Sequence, residues 1–332
     1  MRPLSARTGG VFCLKGGEAM VQMPMDILQL FPVRKTGAQK KGFREAVSIY
    51  AAQLGYQVTE EKCSAGARNL VIGDPENASY LVTAHYDTCA RLPVPNFLMP
   101  CNLAVFLAQQ LGMWIVIMLL SSVIGTLGGL LMGEAAVSIV SCLFLLCVVA
   151  LMTVGPANPS NANDNTSGVV TLLEILRTMP ENQRDKVCFV LFDLEEAGLI
   201  GSASYRKAHK KATDRQIVLN LDCVGDGDHL RMFPTKALRK NRKKLTSLYK
   251  ACGYFGKKEL LVHEKGFYIY PSDQMAFPYG VGICALKKNK LGLYVGRIHT
   301  HRDTVLEETN VNILRAALTT FICCDAVNLE RK

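Results

Sequence analysis

Apolar positions recur along this chain with different periods, and each period predicts a different element. Between residues 40 and 54, Phe43, Val47, Tyr50 and Leu54 share one face at helical spacing. Residues 80–85, 186–192 and 217–221 are short continuous apolar runs, the pattern of strands buried on both faces. Shorter strands are predicted at 56–60, 69–72, 281–286 and 291–295. Helical spacing returns at 167–177 through Val170, Leu173 and Leu176, in a basic stretch over 236–251 with Thr235 as its N-cap, and at 310–329. Strands alternating with helices predict an α/β fold, with a mixed, mostly parallel central sheet sandwiched by helices.

A further pattern interrupts this alternation. From residue 92 to residue 163 the only Asp, Glu, Lys or Arg is Glu134. Residues 103–120 and 136–152 are each about long enough to cross a hydrocarbon core of ~30 Å. Between them, residues 121–135 contain Gly125, Gly128, Gly129, Gly133 and Glu134 and can serve as the turn of a helical hairpin, with a first helix running past Ile124 as the alternative. A pair of buried core helices is the alternative reading, but neighbouring uncharged stretches of this length are rare in soluble domains. The expected organisation is a poorly structured extension over residues 1–24, a globular α/β domain built from 25–100 and 156–332, and a two-helix transmembrane hairpin inserted over 101–155. In the extension, Lys15-Gly16-Gly17-Glu18 precedes Met20, so translation starting at Met20 or Met25 is a further expectation.

Charge then orients the hairpin. The chain carries 38 Lys and Arg against 28 Asp and Glu, almost all outside the apolar stretches. Positive charge marks the cytoplasmic side, and both ends of a hairpin face one compartment. The first forty residues hold no continuous apolar core of the signal-peptide kind. The expected location is a bacterial-type cell membrane, with two spans and the globular domain facing the cytoplasm. The twelve cysteines include no C-x-x-C pair, which agrees with free thiols in a reducing compartment. The basic stretch, with Lys236, Arg239, Lys240, Arg242, Lys243, Lys244 and Lys250, lacks the aromatic interleaving of nucleic-acid modules, so no nucleic-acid partner is expected. A solvated face is the first reading and contact with anionic lipid head groups the second.

The candidate chemistry lies at or near strand ends. His85, Glu196 and Asp222 follow the buried apolar runs, Asp164 sits in Asn-Asp-Asn before a helix, and His299 sits in Ile-His-Thr. Taken singly, His85 can be a structural histidine and Asp164 a helix cap. The pair Glu195-Glu196 is harder to place structurally, because adjacent carboxylates repel unless a cation or proton is near. Convergence at the carboxyl ends of strands is the placement expected of a site. Mixed imidazole and carboxylate donors suit Zn²⁺, with Mn²⁺ or Co²⁺ as substitutes.

The order His-x-Asp, Asn-Asp-Asn-x-Ser-Gly, Glu-Glu, Asp and His-Thr-x-x-Asp-Thr resembles the M28 family of co-catalytic zinc peptidases, chiefly aminopeptidases, over residues 31–90 and 156–328. The resemblance implies two Zn²⁺ ions and a peptide substrate. It places His85 and Asp222 on one ion, Glu196 and His299 on the other, and Asp164 between them. Asp87 would orient His85, and Glu195 would be the general base. His301 competes with His299, which aligns with the first histidine of the motif. Two departures stand out. Gln274 follows Ser272-Asp273 where a histidine is common, which predicts altered substrate contacts. An oxyanion tyrosine has no clear counterpart, leaving Tyr268 and Tyr270 as candidates. Other amide chemistry on the same fold (glutaminyl cyclisation or carboxypeptidase cleavage) and a non-catalytic scaffold are the alternatives. The hairpin separates His85 from Asp164, which predicts a site close to the inner membrane surface. Side-chain specificity and oligomeric state are not encoded in these patterns.

Overall fold

The computed structural model describes residues 24–92, 97–264 and 266–329, so the expected N-terminal extension lies outside the described residues apart from Pro24. Its strands are β1 (Val58–Lys62), β2 (Arg68–Ile72), β3 (Tyr80–His85), β4 (Val187–Phe192), β5 (Ile217–Leu221), β6 (His229–Pro234), β7 (Gly253–Phe255), β8 (Lys258–Val262), β9 (Gly280–Asn289) and β10 (Gly292–Tyr294). They form one sheet in the order β1-β2-β4-β3-β5-β9-β6-β8-β7, with β10 pairing β9. The centre, β4-β3-β5-β9, is parallel, while β1, β2, β7 and β10 pair antiparallel at the flanks. Strands β6 and β8 run parallel to each other but antiparallel to the centre, so the sheet is mixed around a parallel core.

Alternation along the central strands sends side chains to opposite faces. Val82 and Ala84 of β3 and Phe189 and Leu191 of β4 enter one apolar cluster, and Leu81, Val190 and Phe192 enter another. Helices cover both layers. In chain order α1 (Asp26–Leu30) and α2 (Gly37–Gln53) precede β1, while α3 (Leu103–Met132) and α4 (Ala135–Val154) form a hairpin between β3 and α5 that is largely uncovered. Those after it are α5 (Gly168–Thr178), α6 (Ile200–Ala208), α7 (Lys210–Thr213), α8 (Lys236–Lys240), α9 (Arg242–Leu248) and α10 (Glu308–Leu329). Phe43 and Val47 of α2, Leu172 and Leu176 of α5 and Leu314 and Leu318 of α10 pack in the first cluster, and Tyr205 of α6 packs in the second. Helix α2 begins where a reciprocal cap permits: Thr36 accepts from the Gln39 N–H at 3.3 Å, and Gln39 accepts from the Thr36 N–H at 2.9 Å.

Two expected elements are corrected. The basic helix over 236–251 is broken into α8 and α9 at Asn241, whose backbone is non-helical and whose side chain caps α9 by accepting from the Lys244 N–H at 3.1 Å. The first apolar helix takes the longer of its two readings and runs past Ile124. It continues to Met132, and the turn is only Gly133 and Glu134. The glycines read as a turn instead line a helix–helix seam. A Cβ on Gly125 would lie 2.0 Å from Ser141 Oγ, and one on Gly129 would lie 2.4 Å from a Val137 methyl. Beside them, Ser121 and Ser141 exchange hydroxyl-to-carbonyl hydrogen bonds at 3.1 and 3.2 Å. Small residues that let backbones approach, glued by serine hydroxyls, are the packing mode of helices in lipid. The outer surface is apolar and open, with Leu130 79% and Leu131 86% exposed.

This seam makes a paired prediction. Gly125→Ala should destabilise the detergent-solubilised protein by about 1–3 kcal/mol through overpacking. Gly112→Ala, on the same helix with nothing within 4 Å, should leave the thermal midpoint unchanged or raise it. Equal effects of the two substitutions would refute the seam.

Candidate active site

The parallel centre delivers the candidate residues to one end of the sheet. His85 is the last residue of β3 and pairs in register with Phe192, the last of β4. The chain then turns through Asp193 and Leu194 to Glu195 and Glu196, while β5 ends at Leu221 and presents Asp222. Asp164 enters from the loop before α5, and His299 from the loop after β10. His85 Nε2 lies 3.3 Å from Asp164 Oδ1 and 3.8 Å from Asp222 Oδ1. His299 Nε2 lies 3.0 Å from Asp164 Oδ2 and 3.5 Å from Glu196 Oε2. The Asp164 carboxylate thus turns one oxygen to each imidazole, and the donors separate into two groups around it. His301, the competing histidine, is exposed on the surface.

Glu195 shares the site, with a ligand-type atom within 4.8 Å of those of His85 and Glu196. Asp87 reaches three parts of it. Its Oδ1 accepts from the Glu195 N–H at 3.1 Å, its Oδ2 accepts from the Glu196 N–H at 3.3 Å, and Oδ1 lies 3.4 Å from His85 Nδ1. The Asp87–His85 approach is close but not aligned as a hydrogen bond.

Several further residues support the site from around the predicted positions. Asp303 accepts the N–H groups of Asn163 at 2.8 Å and Asp164 at 3.0 Å, fixing the loop that presents the shared carboxylate. Asn165 donates to the Leu221 carbonyl at 3.0 Å and accepts from Gly168 at 3.1 Å and Cys223 at 3.2 Å, tying that loop to β5 and α5. The fully buried Arg34 donates to the Tyr86 carbonyl at 2.6 Å and to Thr166 Oγ1 at 3.0 Å, so one guanidinium joins the segments carrying His85 and Asp164. Lys40 Nζ contacts Asp193 Oδ1 at 2.5 Å, and Asp193 also accepts from the N–H groups of Leu194 and Arg68 at 2.9 and 3.0 Å. Asp303, within His-Thr-x-x-Asp-Thr, and Asn165, within Asn-Asp-Asn, lie inside motifs of the sequence, whereas Arg34 and Lys40 do not.

Three neighbouring side chains noted in the sequence are engaged in internal hydrogen bonds. Gln274 is 2% exposed and spends its amide inside, donating to the Tyr270 carbonyl at 2.6 Å and accepting from Asn220 at 3.1 Å, so it supports the sheet rather than facing a substrate. Tyr270 donates to the Asp222 carbonyl at 2.9 Å and Tyr268 to the Pro234 carbonyl. Both hydroxyls are committed to backbone.

The electrostatics identify what the cluster can hold. Burial pushes the Glu195 carboxyl well above the usual range despite His85, with Glu196 and Asp273 adding repulsion. Burial likewise raises Glu196 to about 8. Burial opposes protonation of His299, yet Glu196 and Asp164 raise it to about 9. Burial also works against the Asp164 carboxylate, but the two imidazoles hold it below its ordinary range. Carboxylates outnumber bases in a largely buried volume, and cations resolve that imbalance. His85 Nδ1 and Glu196 Oε1 have no hydrogen-bond partner. His85, Asp164 and Asp222 form one compact donor set, and His299 and Glu196 belong to another. Mixed nitrogen and oxygen donors of this kind fit zinc.

Solved proteins with this arrangement of sheet and helices include zinc exopeptidases and cyclases. A Zn-dependent exopeptidase from Parabacteroides distasonis ATCC 8503 superposes with a TM-score of 0.56 at 16% identity, over 91% of this chain and 95% of that one. A glutaminyl cyclase from Porphyromonas gingivalis gives 0.55 at 16% identity, over 92% and 96%. At these identities the likeness defines the fold. The chain belongs to Peptidase family M28, whose sequence profile matches residues 150–321. It is also 38% identical over 73 residues to aminopeptidase YwaD of Bacillus subtilis (strain 168), a stretch covering 21% of this chain and 16% of that protein's length.

One structural prediction follows from the Lys40–Asp193 pair. Lys40→Ala leaves Asp193 buried without its cation and should cost about 3–5 kcal/mol, measured by denaturant unfolding. A loss below about 1 kcal/mol would show that the pair behaves as a surface contact and does not anchor the Glu195-Glu196 turn.

Proposed function

We propose that this chain is a membrane-anchored co-catalytic di-zinc peptidase that removes N-terminal residues from peptides. The observation that carries the reading is the Asp164 carboxylate, with Oδ2 3.0 Å from His299 and Oδ1 3.3 Å from His85. His85 and Asp222 would hold one ion, Glu196 and His299 the other, and Asp164 both. When bound, a zinc pair supplies Lewis acidity to the scissile carbonyl and acidifies the attacking water. Glu195 takes that water's proton on its carboxylate and passes it to the leaving amine. The Asp87 carboxylate, accepting both the Glu195 and Glu196 N–H groups, fixes the base and its neighbouring ligand at one spacing. Aminopeptidase action is favoured over other amide chemistry by family membership and by the similarity to YwaD.

The anchor reading rests on α3 and α4, both long and apolar enough to cross a membrane and largely uncovered by the rest of the protein. Their roots are tied to the globular domain. Lys35 Nζ donates to the Thr153 carbonyl at 3.0 Å, and Asn102 donates to the Leu291 carbonyl at 2.9 Å. Exposed Arg91, Lys288 and Lys290 flank these roots, the distribution of a cytoplasmic face.

The catalytic reading predicts about two equivalents of zinc per chain and hydrolysis of free-amine peptides over N-blocked ones. Glu195→Gln should lower kcat by ~10²–10⁴-fold while metal content is retained. Preference for blocked N-termini would defeat the aminopeptidase assignment, conversion of N-terminal glutamine to a pyroglutamyl peptide with release of ammonia and no peptide-bond hydrolysis would favour a cyclase, and full activity of Glu195→Gln would remove the proposed base. The anchor reading predicts that the protein stays in the membrane pellet after alkaline carbonate extraction. Release into the supernatant would overturn it.

A further inference from the structure

Cys89 stands apart from the other buried cysteines. Cys188, Cys223 and Cys284 each pack within an apolar cluster, as buried thiols usually do. Cys89 is fully buried but belongs to none of the apolar clusters. Its charged neighbours include Glu196, Asp164 and Asp303, with Arg34 and Lys35 on the basic side. Its sulfur lies with a Glu196 oxygen and a His299 nitrogen in a group whose ligand-type atoms are all within 4.8 Å of one another. The backbone holds it there: the Cys89 carbonyl accepts from the Asn158 N–H at 3.0 Å, and the next residue, Ala90, bridges Ala157. Glu196 Oε1, in the same group, is buried without a hydrogen-bond partner.

We propose that Cys89 is a thiolate ligand of the cation held by Glu196 and His299. The two half-sites then differ in kind. One offers imidazole and carboxylate donors, from His85, Asp164 and Asp222. The other adds sulfur to His299 and Glu196, which selects softer ions such as Zn²⁺ and Cd²⁺ over Mn²⁺. Coordination exchanges the thiol proton for the cation and releases that proton to solvent. The inference rests on the two-cation reading of the site.

Cobalt separates the two ideas, because it reports occupancy and sulfur ligation by different absorption bands. The metal-stripped full-length protein in detergent is titrated with Co²⁺. Visible d–d bands and bound-metal analysis count the ions, while a near-ultraviolet sulfur-to-cobalt charge-transfer band reports a thiolate ligand. The expected result is two bound Co²⁺ per chain, with the charge-transfer band growing as the sulfur half-site fills. Cys89→Ser and Cys89→Ala should abolish that band and keep the d–d bands, and should weaken one zinc equivalent ~10–100-fold while leaving the other unchanged. Cys63→Ser, a cysteine away from the site, should keep the charge-transfer band. Two bound ions without the band in the wild type would overturn the ligand role and leave the two-cation reading standing. A band that survives in both Cys89 variants would also overturn it. Failure to bind cobalt stoichiometrically would overturn the two-cation reading and this inference together.

Discussion

One carboxylate facing two imidazoles is the constraint around which the site is built. Asp164 is buried, and a buried carboxylate is tolerated only where hydrogen bonds or cations meet it. Its position depends on its own backbone, since the N–H groups of Asn163 and Asp164 both end on Asp303. Asn163 in turn accepts from the Gly225 N–H at 2.7 Å, which draws the loop after β5 toward the same point. The backbone around this network is strained where it meets the ligands. His299, Cys223 and Leu194 all occupy the left-handed region, with φ of 61°, 54° and 55°. Each such residue costs of order 1–3 kcal/mol, and strain of this kind persists where the surroundings over-determine it.

The sheet provides that over-determination. Adjacent parallel strands must end together, because their register is locked by paired residues such as Thr83 with Asn220 and His85 with Phe192. A buried polar chain runs beneath the site through Thr83, Asn220, Ser272 and Gln274, with hydrogen bonds of 2.8 to 3.1 Å. It prevents β3 and β5 from sliding and fixes the segment leading to Asp273. Gln274 suits this role, since its amide both donates and accepts. A neutral histidine could do the same only with a fixed tautomer.

The strand ends were legible in the sequence because continuous apolar runs stop abruptly at polar residues, and His85, Phe192 and Leu221 end strands at the expected places. The supporting network was not legible for a geometric reason. Lys40 and Asp193 are 153 residues apart, and Arg34 and Thr166 are 132 apart, so nothing local marks them as partners. Strands β6 and β8 escaped because their runs are short and mixed. Lys258 looks like a loop residue until its ammonium is seen 2.6 Å from Glu307 and 2.8 Å from Asp228. The hairpin glycines misled for the opposite reason. Glycine serves turns through its backbone freedom and helix seams through its missing side chain, and sequence alone does not say which.

The placement of the hairpin bears on the site. In chain order the hairpin lies between the strand carrying His85 and the loop carrying Asp164, with α3 beginning at Leu103 and α4 ending at Val154. Between them, Arg91 donates to the Pro156 carbonyl at 2.8 Å and Leu92 to the His299 carbonyl at 2.8 Å. Leu98 and Val295 pair as a bridge on the approach to α3. Among the described residues, the segments at residues 91–92, 98 and 156 therefore hydrogen-bond to one another or to the loop bearing His299. With the helices held in a bilayer, the loops that bring these donors together would be ordered from outside the sheet as well as from within it.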